Sequence, residues 1–121
     1  MPRVVHFEIS ADDPERAIKF YSDVFGWQVR KWEGGNEDYW LVETGTEGPG
    51  INGGLFKRKG PIGHVNTVEV PSVDDAVDRI EAAGGVVVMP KQAIPTVGWF
   101  AYCHDTEGSV FGVMSHDPDA R

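Results

Sequence analysis

The residues of this chain best suited to chemistry stand near its start, in the stretch "VVHFEIS". His6 and Glu8 are two apart, so in an extended strand their side chains project from the same face. An imidazole beside a carboxylate can hold part of a metal shell, bind a polar ligand or move a proton. A carboxyl in an apolar recess can act as a base because desolvation raises its pKa. The three other histidines are less well placed. His64 follows "KGPIG", while His104 and His116 stand beside turn or tail residues, and all three are expected at the surface. Cys103, the single cysteine, has no partner for an internal disulfide and is expected to be a small buried hydrophobe in a strand.

The elements that position these groups can be read from periodicity and punctuation. Val4–Ile9 alternates and is rich in β-formers, and so predicts a strand. Asp12 or Asp13 then caps a helix with Pro14 in its first turn, and Ala17, Ile18, Tyr21, Val24 and Phe25 share one face. Gly26 ends it. Strands are expected over 27–32, 39–44 and 51–57, separated by the turn-forming "EGGNED" and "GTEGPG". A second series follows: a strand over 65–70, a helix begun by Ser72 with Asp75 three residues on, and a stripe of Ala76, Val77, Ile80 and Ala83. Gly84 and Gly85 stop that helix. Strands over 85–89, 99–104 and 110–115 complete the series.

The two series are a repeat. Superposing "ERAIKFY" on "DDAVDRI" pairs Ala17 with Ala76 at an offset of 59 residues, which also brings Ile9 to Val68 and Gly53 to Gly112. The expected fold is α+β: one domain of two tandem βαβββ modules, 1–59 and 60–121, each a curved sheet with its helix on the convex side and a shared cup on the concave side.

Composition narrows the function classes. A chain of 121 residues with 40% hydrophobic and 25% charged residues is the size and make-up of a globular domain. A formal charge of −8 argues against nucleic acid as a partner, and "KRK" at 57–59 is too small to reverse it. No apolar run is long enough for a membrane span, and nothing resembles a signal peptide. A cytoplasmic protein is expected.

"HFEISADDPERAIKFYSDVFGW", "IEAAGG" and "DTEGSVFGV" resemble the vicinal oxygen chelate superfamily, the glyoxalase, bleomycin-resistance and dioxygenase group, over nearly the whole chain. The resemblance implies a metal ligand on the first and last strand of each module, with open positions for two substrate oxygens. Carried onto this chain, those four positions read His6, Gly53, Val65 and Gly112. Only His6 can bind an ion, so no metal or other cofactor is expected. The remaining candidates for a ligand in the cup are His6, Glu8, Tyr39, Thr67, Trp99 and Tyr102, with Glu8 and His6 the candidates for catalysis. The glycine-rich "GPGINGG" at 48–54 either lets a ligand approach the backbone or bends the sheet. The resemblance thus implies a protein that holds a small organic molecule. The alternative is a metal-dependent lyase, isomerase or dioxygenase with an unusual ligand set. Relatives of this kind commonly pair as homodimers, and the aromatic residues Phe20, Tyr21 and Phe25 on more than one face of the first helix fit such an interface.

Overall fold

The computed structural model describes residues 2–34 and 38–121. The "EGGNED" turn therefore lies partly outside the described residues. The elements run β1 (Arg3–Ala11), α1 (Pro14–Phe25), β2 (Gln28–Lys31), β3 (Tyr39–Glu43), β4 (Gly53–Lys57), β5 (Val65–Glu69), α2 (Val73–Ala82), β6 (Val86–Ile94), β7 (Gly98–His104) and β8 (Val110–His116). This is the βαβββ order twice over. The chain forms two compact units, His6–Val65 and residues 2–5 with Asn66–Arg121. The first residues of β1 group with the second unit.

In the first unit the strands lie in the order β2-β3-β4-β1. β1 and β4 are parallel, and the β2-β3 and β3-β4 pairs are antiparallel. Asp13 caps α1 by accepting from the Arg16 amide at 3.2 Å, whereas Asp12 pairs with Arg58 at 3.1 Å. Gly26 takes the left-handed conformation, φ 73°, that ends the helix. The core on the helix side is Ile9, Ala11, Val42 and Leu55, with Phe7, Ala17, Ile18, Tyr21, Trp27, Val29 and Trp40 packed around it. The expected apolar stripe on α1 is thus only partly used. Val24 and Phe25 remain 55% and 59% exposed, and Phe25 rests on the rings of Tyr21 and Trp27 at the margin of this cluster.

The second unit has the order β5-β8-β7-β6, with β5 and β8 parallel. Ser72 caps α2 through the Asp75 amide at 3.2 Å, as the spacing predicts. Its core joins Val73, Ala101 and Val113 to Val77, Ile80, Phe111 and Trp99. Ala83 of the expected stripe is exposed, and Val73 takes a place in the core. β6 runs five residues past the expected end at Met89. Pro90 is accommodated because β6 is the terminal strand of this half-sheet and its pairing shifts register between Met89 and Gln92. Cys103 is fully buried, and burial together with the Glu81 charge pushes its thiol pKa up.

Candidate functional site on the first half-sheet

One face of the first half-sheet packs on α1, and the opposite face carries the polar candidates. Strand alternation and pairing put Arg30, Leu41, Gly54 and Glu8 side by side across four strands of that polar face. Gln28 and Glu43 pair one step along from Arg30 and Leu41. His6, on β1, precedes Glu8 by two residues and shares its face. His6, Gln28, Arg30, Leu41, Glu43 and Asn52 line a depression of about 410 Å3.

The organising side chain is Tyr39. Its Cα pairs with Phe56, two residues beyond Gly54 on β4. The ring leans diagonally across β4 toward β1, and only a glycine at 54 permits this: an added Cβ would overlap the Tyr39 ring and hydroxyl. Having crossed, the hydroxyl donates to Glu8 Oε2 at 2.7 Å and lies 2.9 Å from His6 Nε2. The ring is braced by an edge-to-face contact with Trp32, centroids 6.0 Å apart. Glu8 is buried at 7% exposure, and His6 Nε2 stands 4.0 Å from its carboxylate. Burial lowers the His6 pKa from its ordinary 6.5, against the smaller opposing effect of the Glu8 charge.

The offset of 59 residues makes Gly53 the equivalent of Gly112, but the register differs: Glu8 pairs with Gly54, and Gly53 pairs with Phe7. In the second unit Thr67, the repeat equivalent of Glu8, pairs with Gly112. The last strands of the two modules are therefore related by an offset of 58, and Gly54 corresponds to Gly112. Gly53 meets a separate demand, since a Cβ there would strike the Phe7 carbonyl and ring. Of the glycines of "GPGINGG", Gly53 and Gly54 make room for Phe7 and Tyr39.

The other candidates separate by strand parity. Thr67 is buried, and a Cβ on Gly112 would lie 3.0 Å from its hydroxyl and 3.4 Å from the Tyr102 ring. These three residues share one face of the second half-sheet. Trp99 is three residues from Tyr102 and points the other way, into the helix-side core. There its indole donates to Asp117 at 3.0 Å, and Lys91 lies 4.8 Å from the ring centre. Trp40 likewise belongs to the helix-side core of the first unit. The odd spacing from Trp99 to Tyr102 already marks them as opposite-facing in the sequence. Arg30, Gln28, Glu43 and Asn52 carry no such mark, because only the pairing register brings them beside His6. Of the remaining histidines, His116 pairs with Glu69 at 2.7 Å.

A divalent ion needs three or four converging donors. The first unit offers His6 and Glu8, already bridged by the Tyr39 phenol, and glycine where a last-strand carboxylate would stand. At the corresponding second-unit positions stand buried Val65 and Gly112. Among the described residues no three His, Cys, Asp or Glu side chains form a metal-ligating group. The residues at these positions do not fit the metal centre the resemblance implies.

Comparison with known proteins agrees with this architecture. The family model "Glyoxalase/Bleomycin resistance protein/Dioxygenase superfamily" matches residues 3–113. A glyoxylase-like domain-containing protein of Didymella fabae is 34% identical over 120 residues, covering 89% of each chain. The protein named "Putative glyoxylase CFP32" of Mycobacterium bovis is 32% identical over 116 residues; the match covers 92% of this chain but 43% of that one. The chain therefore spans less than half the length of that relative. The crystal structure of methylmalonyl-CoA epimerase from Mycobacterium tuberculosis superposes with a TM-score of 0.67 at 16% identity, covering 95% of this chain and 88% of that one, a likeness of fold. Paired βαβββ modules, the Asp105 turn before the last strand and a family match over nearly the whole chain lead to one conclusion: this protein belongs to the glyoxalase/bleomycin resistance protein/dioxygenase superfamily.

Proposed function

We propose that the protein binds a small organic molecule on the polar face of its first module and does so without the metal centre of its metal-using relatives. The observation that carries this reading is the Tyr39 hydroxyl bonded to both His6 and Glu8. The two residues that could begin a metal shell are engaged with a phenol, beside a depression whose lining combines apolar Leu41 with charged Arg30 and Glu43. Ligand sites commonly have this mixture: an apolar wall with a few placed polar groups. The net charge of −8 weakly favours a cationic ligand, while Arg30 provides a local counterweight. A fragment library followed by amide chemical shifts tests the reading. Perturbations centred on Gln28, Arg30 and Leu41 that weaken in His6→Ala support it, and an unresponsive face contradicts it.

A second reading, acid-base catalysis without metal, draws on the same hydrogen bonds. A buried carboxylate, a phenol and a neutral imidazole in sequence are groups through which a proton could be held or moved. The homodimer belongs to this account too, on the strength of Phe20, Val24 and Phe25, each more than half exposed on α1. So does a cytoplasmic setting, which suits a single buried thiol.

A further inference from the structure

The Tyr39 hydroxyl has one proton, and that proton is directed at Glu8 Oε2. Its oxygen can then meet His6 Nε2 only as an acceptor, so Nε2 must carry the imidazole hydrogen. The tautomer is thus assigned by the hydrogen-bond network. In a neutral imidazole the other nitrogen, Nδ1, then holds a lone pair. We infer that His6 is locked as the Nε2–H tautomer and offers Nδ1 to the depression as a hydrogen-bond acceptor, so that this face selects organic ligands carrying an O–H or N–H donor.

This inference rests on the reading that the first-module face binds an organic molecule, and it adds the chemical class. Three features support the lock. Gly54 lets the Tyr39 ring cross β4, Trp32 braces that ring, and burial favours the uncharged imidazole. Among the described residues, the charged side chains that face His6 in the site are Glu8 on its own strand, 4.0 Å away, and Arg30 and Glu43 in the lining of the depression. Leu41 provides an apolar wall for the ligand's carbon body. Tyr39 acts here through His6 and is a positioning residue.

Ring-nitrogen NMR on the 15N-labelled full chain at neutral pH reads the tautomer directly, the His6 signals being identified by their loss in His6→Gln. We expect a protonated Nε2 and an unprotonated Nδ1, with the two forms mixing in Tyr39→Phe. Phenol and anisole serve as matched probes, because they share a ring and differ in the O–H. Phenol should shift the His6 ring signals and bind about fivefold more tightly than anisole, the worth of one ordinary hydrogen bond. In Tyr39→Phe that preference should shrink. A His6 hydrogen on Nδ1, equal binding of the two probes, or no response of His6 to either overturns the inference. If other fragments still perturb Gln28, Arg30 and Leu41, the pocket reading survives that failure; if none does, both fall.

Discussion

Tyr39 occupies the space a side chain on Gly54 would need, and this puts its hydroxyl between His6 and Glu8. A position where the superfamily resemblance leads one to seek a metal-binding carboxylate is instead a glycine crossed by a phenol. The site's polar chemistry depends on that exchange.

Gly54→Ala should therefore break the site from a position that carries no functional group. The added methyl must displace the Tyr39 ring, and overpacking of this kind costs about 1–3 kcal/mol. Urea unfolding should show the loss, and the His6 and Glu8 resonances should move as in Tyr39→Phe. Gly53→Ala should be at least as damaging to stability, since its methyl meets the Phe7 backbone carbonyl.

Tyr39→Phe keeps the ring but removes the bonds to His6 and to the buried Glu8. Removing one partner from buried polar groups costs about 1–3 kcal/mol. A double-mutant cycle with Glu8→Leu, which leaves no acceptor for the phenol, should give non-additive losses, because both changes remove the same bond. Additive losses would show that the contact contributes nothing to stability.

The pH dependence of stability should carry a His6 component of defined sign. Burial holds the folded-state pKa below the unfolded 6.5, so between those values the unfolded chain binds more protons. The component is present in full above pH 6.5 and is lost as pH falls from there through the folded pKa. Unfolding free energies measured across this range should fall less steeply in His6→Gln than in the parent chain.

Assembly should depend on α1. Sedimentation equilibrium at micromolar concentration should report about twice the 13.3 kDa of one chain, with an interface of roughly 1,600 Å2. Phe20→Glu combined with Val24→Glu should return the mass toward that of a single chain without changing the circular dichroism spectrum.

Much of this fold was legible in local sequence. The alternation of β1, the caps at Asp13 and Ser72 and the stop at Gly26 are short-range signals, and each stands where its chemistry requires. What depends on pairing between distant strands was not legible. The repeat offset slips from 59 to 58 before β4, which changes the equivalent of Gly112 from Gly53 to Gly54, a position on the other face of the strand. β6 continues through Pro90 because it is a terminal strand, a fact about strand order. His6, Glu8 and Tyr39 could each be selected by residue type. Their meeting required the absence of a side chain on β4, and "GPGINGG" shows where side chains are missing but not what fills the space.

The central claim is that His6 and Glu8 serve an organic ligand through Tyr39 and do not serve a metal ion. Its most direct test is elemental analysis of tag-free protein, followed by titration of the metal-stripped protein with Zn, Ni, Mn and Fe. The account predicts well below one equivalent of any of these metals, with no dependence on His6. Near one equivalent, lost in His6→Ala, would contradict it.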